Sequence, residues 1–266
     1  PIKNDKVDLE AVKKAIHSNT KMVLIQRSRG YSLRAPLTID DIEKICTFVK
    51  SIKHDCICFV DNCYGEFVDI SEPTAVGADI MAGSLIKNPG GGIAPTGGYV
   101  AGKAELVDLV SYRLTAPGIG SELGASLVDN RLLFQGLFLA PHVVAQAIKG
   151  AIFAAEFFTK LGYYTLPETS AIRSDIIQAI QLNNKEKMIA FCQGLQRFSP
   201  VDAHVSPEPW DMPGYSDQVI MAAGTFVQGA SIELSADDPM GAPYIVFLQG
   251  GLTVEHSIIG IMGAAQ

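Results

Sequence analysis

Cys56-Ile57-Cys58-Phe59-Val60-Asp61-Asn62-Cys63-Tyr64-Gly65-Glu66 decides the reading of the fold, because a continuous apolar run ends abruptly in a carboxylate, an amide and a phenol. Such a run reads as a buried strand, with Asp61 at its carboxyl end. Upstream, Met22 to Ile25 is a second short apolar run, read as a buried strand feeding the polar loop Gln26-Arg27-Ser28-Arg29-Gly30. Between the two, Thr38 with Asp40 and Asp41, followed by Ile42, Ile45, Phe48 and Val49, marks a capped amphipathic helix. Val7 to Ile16 carries a weaker helical pattern. Helix alternating with buried strand predicts an α/β architecture, a mostly parallel sheet with flanking helices.

Working outward, Gly77 to Gly83 and Gly98 to Gly102 are further strand candidates, and Glu105 to Arg113 and Leu132 to Leu161 are helices. The second helix is apolar along Val143, Val144, Ala147, Ile148, Ala151, Ala154 and Phe157, as a buried connecting helix would be. Beyond Gly162, strand candidates at Asp175 to Ile180, Val219 to Ala223, Ser231 to Leu234 and Tyr244 to Leu248 accompany one helix from Glu186 to Leu195. Strands separated by turn residues predict a smaller α+β C-terminal domain with antiparallel pairing. The expected division is a large domain over residues 1–161, ending in the connecting helix, and a small one over 162–266.

With 48% hydrophobic and 18% charged residues in 266, the chain has material for a substantial core. A formal net charge of -7 argues against nucleic acid or an anionic membrane as partner, and favours a small soluble ligand. The apolar stretches are broken by Gly, Pro or charge before the roughly 18–20 residues of a membrane span. Five scattered cysteines read as reduced thiols of a cytoplasmic protein rather than as metal ligands. HExxH and GxSxG are absent, and no Gly-Lys-Ser/Thr follows Gly90-Gly91-Gly92. Pro1 in place of Met, with no signal-peptide pattern after it, is read as the start of a fragment or a processed piece.

A second chemical signal is Ala82-Gly83-Ser84-Leu85-Ile86-Lys87-Asn88-Pro89-Gly90-Gly91-Gly92, a lysine between a small-residue strand end and a glycine run. Little side-chain bulk surrounds it, so a planar group could approach closely. Taken alone, this is equally an exposed loop lysine, and Asp61-Asn62 an ordinary turn. Together they reinforce one another, since a crossover between adjacent parallel strands would bring Asp61 and Lys87 to one sheet edge, where α/β proteins bind ligands. Pyridoxal 5′-phosphate needs both: an amine for its aldehyde and a carboxylate for its pyridine nitrogen. Ser84 can offer its hydroxyl to the phosphate.

Asp61 with Tyr64, then Ser84-x-x-Lys87 and the glycines, resemble fold-type I pyridoxal-phosphate enzymes of the cystathionine and methionine lyase type. More closely, Asp-Asn-Cys-Tyr-Gly-Glu-Phe, Gly-Ser-Leu-Ile-Lys-Asn-Pro-Gly-Gly-Gly, Ala-Ala-Gly-Thr-Phe-Val-Gln-Gly and Leu-Gln-Gly-Gly-Leu-Thr are similar to the methionine γ-lyase-like, or aluminium resistance, proteins. The resemblance runs from near the start to Thr253. It implies that Lys87 carries the cofactor as a Schiff base, that Asp61 faces the pyridine nitrogen and that Tyr64 hydrogen-bonds the phenolic oxygen. Arg27 and Arg29, directly after the strand Met22 to Ile25, become candidates for the substrate carboxylate, because no Lys or Arg follows Arg197 and the loop Ser235 to Gly241 offers only carboxylates. The resemblance also implies a homodimer or homotetramer, and an amino-terminal portion that precedes this chain and supplies the phosphate-cradling glycine turn and a stacked aromatic ring. The implied activity is elimination from a small amino acid with carbon–sulfur cleavage. Retro-aldol cleavage or transamination uses the same cofactor chemistry, and a non-catalytic assembly module is the alternative of a different class.

Overall fold

The computed structural model describes residues 1–3, 6–114, 117–124, 126 and 128–266. Its elements are β1 (Ile2–Lys3), β2 (Lys6–Val7), α1 (Leu9–Ala15), β3 (Met22–Gln26), α2 (Ile39–Ile52), β4 (Ile57–Asp61), β5 (Ile80–Ser84), β6 (Gly98–Gly102), α3 (Ala104–Leu114), α4 (Asn130–Lys160), β7 (Tyr164–Leu166), β8 (Gln178–Gln181), α5 (Lys185–Arg197), β9 (Val219–Ala222), β10 (Ser235–Pro239), β11 (Ile245–Gln249) and α6 (Val254–Ala264). Short 3-10 turns occupy Pro73–Val76 and Asn88–Gly90.

The first sheet has the order β3-β4-β5-β6. β3 pairs parallel with β4 and β4 with β5, with Gln26 opposite Asp61 and Asp61 opposite Ala82. β6 runs antiparallel to β5, so the sheet is mixed rather than parallel throughout. The reason is that the segment between β5 and β6 makes a 3-10 turn at the end where it leaves and returns there, instead of crossing over a face as a parallel connection must. β3 also departs from the fully buried strand expected of it. It lies at the sheet edge with Ile25 inside, while Met22 and Leu24 stay 47% and 64% exposed. Its inner face joins α2, whose Ile42, Ile45, Cys46 and Val49 meet Cys58 and Val60 in one apolar cluster. α2 starts as the sequence demands: Thr38 caps it and Asp41 reciprocates, closing a capping box.

The second sheet, β7-β8-β11-β10-β9, is antiparallel throughout. α5 and α6 cover one face, with Met188, Phe191, Leu195 and Ile261 packed on Ile180, Ile220, Ala236 and Leu248. The strand expected at Ser231 to Leu234 lies instead at Ser235–Pro239. Glu233 explains the shift, because its carboxylate accepts hydrogen bonds from the Phe226 and Val227 amides at 3.0 and 2.8 Å and folds its segment into a turn before the ladder begins. The segment Ser235 to Pro239 is therefore a strand inside the sheet and not a loop.

α4 runs 31 residues and is apolar enough over an 18-residue window to meet the length and composition of a membrane span, contrary to the expectation that no stretch is that long. Its buried residues form a helical stripe from Gly136 through Ala140, Val143, Ala147, Ala151 and Ala154 to Phe158. The middle of the stripe packs on Tyr64 and Val68 of the turn after β4, and its end enters the core of the second sheet. Near its start the helix meets the turn behind Lys87 backbone to backbone: a Cβ on Gly136 would lie 2.2 Å from the Gly90 carbonyl oxygen, and one on Gly91 would lie 2.4 Å from that of Gly136.

Gly136→Ala should therefore destabilise the protein by about 1–3 kcal/mol through overpacking, although Ala is the better helix former by about 1 kcal/mol. A urea titration checks this: the midpoint should fall at constant m-value. A raised midpoint would mean that the helix does not approach the turn this closely.

Candidate active site

Asp61 ends β4, and its Oδ1 accepts the Cys63 amide at 3.1 Å, which curls the chain back over the strand end. The curl puts Tyr64 in the left-handed region at φ 68° and Phe67 at φ 59°. Both are non-glycine residues in a conformation held only where the surroundings fix it. Next door, β5 ends at Ser84, whose carbonyl accepts the Lys87 amide at 3.3 Å. Lys87 Nζ lies 5.0 Å from the centroid of the Tyr64 ring, within cation–π range. Asp61 and Lys87 both bear on the Cys63 thiol, which burial pushes up to about 12 against the lowering influence of Lys87. Lys87, Tyr64, Asp61 and Ser84 thus meet at the carboxyl ends of two adjacent parallel strands.

A buried polar network lies beneath them. Asn62 is fully buried and its amide donates to Glu72 at 2.8 Å and to Tyr99 Oη at 3.2 Å. Tyr99 donates to Glu66 Oε1 at 2.9 Å, and Asn88, next to Lys87, donates to the Glu66 carbonyl at 2.9 Å. A Cβ on Gly83 would come within 2.3 Å of Glu66 Oε1. Glycine there lets β5 close on the network. None of Glu66, Tyr99 or Asn88 stands out in the sequence as a site residue, since each is polar in a stretch read as loop or strand.

The two arginines separate. Arg27 is fully buried, its Nη1 donating to Asn62 Oδ1 at 2.8 Å and lying 3.5 Å from Glu72. Gly65 covers it so closely that a Cβ there would sit 2.5 Å from Arg27 Cδ. Its guanidinium supports the Asn62–Gly65 turn from below, and its Nε and Nη2 have no hydrogen-bond partner among the described residues. Arg29 is buried on the other flank, donating to the Leu166 carbonyl at 2.9 Å with Nε 3.6 Å from Asp175. Beside it stands Arg173, which sequence reasoning passed over. Burial lowers its pKa to about 10, Gln178 takes only its Nη2 at 2.7 Å, and its Nε and Nη1 have no partner among the described residues. The signal available was Arg173-Ser174 directly ahead of the strand candidate Asp175 to Ile180.

The facing sheet closes the site. Phe247 and Ala179 pack toward Tyr64 and Leu33, and Tyr31 meets Phe247 edge-on at 5.5 Å. Tyr31 donates to Asp237 Oδ2 at 2.9 Å. Neither of these two residues was expected in the site.

The geometry can be set beside known proteins. The family model for methionine gamma-lyase matches residues 1–266. The chain belongs to the methionine gamma-lyase family. The Bacillus subtilis protein YnbB is 57% identical over 254 residues, which are 96% of this chain and 60% of YnbB. A solved Listeria monocytogenes protein, named as a candidate cystathionine beta-lyase involved in aluminium resistance, is 56% identical with a TM-score of 0.96, over 100% of this chain and 66% of that one. The Clostridium novyi carbon-sulfur lyase involved in aluminium resistance is 54% identical with a TM-score of 0.93, over 99% and 62% respectively. The chain thus spans a little under two thirds of the length of these relatives. Yeast cystathionine gamma-lyase, 18% identical with a TM-score of 0.61, shares the fold.

Burial, foremost, pushes the Glu66 carboxyl from an ordinary 4.5 up to about 8. The folded protein therefore holds a proton on Glu66 where the unfolded chain has lost it. The resulting stability is fully present below about pH 4.5 and lost as pH rises through about 8. Glu66→Gln should flatten the fall in stability across that window, as read by urea midpoints from acid to alkaline pH. An unchanged slope would show that Glu66 ionises normally.

Proposed function

We propose that this chain forms part of the active site of a pyridoxal-phosphate-dependent lyase that cleaves a carbon–sulfur bond in a small amino acid. The observation that carries the reading is the placement of Lys87 Nζ over the Tyr64 ring beside Asp61. Lys87 takes part in no ion pair among the described residues. A primary amine held without a carboxylate partner, a carboxylate one strand away, a phenol between them and the Ser84 hydroxyl make a donor set that fits the cofactor. The printed names of the relatives, a carbon-sulfur lyase among them, support the same reaction class.

Lys87 would hold the cofactor's aldehyde, Asp61 its ring nitrogen, Ser84 its phosphate and Tyr64 its phenolic oxygen. When bound, the cofactor supplies an electron sink for charge at the substrate α-carbon. Lys87 Nζ would be the base for the α-proton. Asp61 would keep a proton on the ring nitrogen that it faces. Arg29 and Arg173 are the candidates for the substrate carboxylate, since Arg27 is engaged with Asn62 and Glu72 and sealed by Gly65.

Lys87→Ala should remove the borohydride-reducible attachment of pyridoxal phosphate and leave the fold intact, as mass spectrometry of the reduced protein and circular dichroism would show. Labelling of another lysine would overturn the assignment. Asp61→Asn should retain the cofactor and lose turnover by several kcal/mol in the barrier, about tenfold for each 1.4 kcal/mol. We also propose a homo-oligomer, because Phe134 and Phe138 are 70% and 82% exposed on one face of α4, with Leu137 beside them. Phe138→Lys should then shift sedimentation toward a smaller species.

A further inference from the structure

The end of the first sheet opposite Lys87 carries its own cluster of charge. β5 begins next to Asp79 and ends at Ser84, so the groups around Asp79 lie a whole strand away from the lysine turn. β6 runs back along β5 with Gly102 opposite Ile80, which sets Lys103 beside Asp79, and the Lys103 amide donates to the Asp79 carbonyl at 2.9 Å. Lys50, in the last turn of α2, reaches the same point and also donates to the Cys56 carbonyl at 2.7 Å. Both ammonium groups close on one carboxylate: Lys50 Nζ lies 2.6 Å from Asp79 Oδ2 and Lys103 Nζ 2.7 Å from Oδ1. The Cys58 amide donates to Oδ2 as well, at 2.8 Å. Asp79 is thus buried and fully engaged.

These three side chains, with His54 and Thr74, wall a cavity of about 640 Å³. Asp79 is the only acid among its lining residues, against two lysines. In a chain whose formal net charge is -7, this hollow is locally positive, and a concave wall focuses such a field on whatever enters. The hydrogen bond to Asp79 raises the Lys103 pKa, so that its head stays charged. An ammonium has three donors. Lys50 places two of them on Asp79 and Cys56, and Lys103 places one on Asp79, which leaves one and two without an acceptor among the described residues. Because the two heads touch the two oxygens of one carboxylate, a second oxyanion of similar span set before it can reach both. Three free donors match the three acceptor oxygens of a phosphate ester, where a carboxylate offers two.

We propose that this cavity binds the phosphate group of a small molecule between Lys50 and Lys103, at a site separate from that of Lys87. The proposal does not rest on the lyase reading.

Calorimetric titration of the holoenzyme, freed of excess cofactor, tests it. Inorganic phosphate and glycerol 3-phosphate should bind with a Kd of about 1 mM or tighter, while acetate and chloride at matched ionic strength should not. Tighter binding of the ester would mark an esterified ligand, and tighter binding of inorganic phosphate the free ion; either supports the site. Lys103→Gln removes the charge from a side chain that is 56% exposed and should weaken phosphate binding about tenfold to a hundredfold, the worth of one charge-assisted hydrogen bond. Lys103→Arg should restore it to within several-fold. Should Lys103→Gln lose the fold by circular dichroism, His54→Glu sets a negative charge on the same wall at an exposed position without touching the partners of Asp79, and should weaken binding likewise. Equal heats from phosphate and chloride, or an affinity that survives the folded variant, would overturn the proposal. Borohydride labelling of Lys87 should be the same with and without phosphate, and phosphate that displaces the label would overturn the separateness of the two sites. If Lys87 takes no label at all, the lyase reading fails and this site stands or falls on the titration.

Discussion

Everything near Lys87 depends on two peptide backbones touching. Gly136 in α4 and the pair Gly90-Gly91 meet with no side chain between them. The contact fixes the turn behind the lysine against the longest helix of the described residues. From that helix the constraint spreads both ways, because its middle backs the Tyr64 turn and its end lies in the core of the second sheet. Asn88, tied to the Glu66 carbonyl, locks the same turn from the other side. The lysine side chain lies over the Tyr64 ring with no ion pair among the described residues, while the backbone that carries it is held from both sides, an arrangement suited to a group that must be positioned closely and still react.

The floor of the site follows a different logic. Arg27, Asn62, Tyr99, Glu66 and Glu72 form a buried polar network whose cost is met by mutual hydrogen bonds and by a carboxyl that burial keeps protonated. Charge is held below the strand ends as structure, and Lys87 stands above them. The glycines at positions 65 and 83 are what let these large polar groups fit so close to the strands.

Much of this was legible in the residues, and the gaps have physical causes. The run from Cys56 to Val60 ends in Asp61 as its composition says, and the register of β4 with β5 sets Asp61 opposite Ala82, on the strand that leads to Lys87. The position of Arg27 after β3 was equally readable, since Gln26 pairs with Asp61. The direction of its side chain was not, because that depends on the cavity under Gly65 created by a turn farther along the chain. β10 was hidden by its own composition: Ser-Ala-Asp-Asp-Pro has poor strand propensity and is held in place by neighbours on both sides. Parallel against antiparallel at β6 turned on the path of the segment after Lys87, which no local pattern encodes.

The alternation along β10 has a consequence for how such a protein can change over generations. One of its two neighbouring acids, Asp238, is satisfied by a thiol and an amide inside the core, and the other, Asp237, looks into the cleft. A single residue gained or lost within the strand would exchange their places, driving an unmatched charge among the apolar side chains of α5 and turning the thiol's partner outward. Insertions are thereby barred from this strand, and divergence at position 237 is left to replacement of the side chain alone. Relatives should keep the length of the strand.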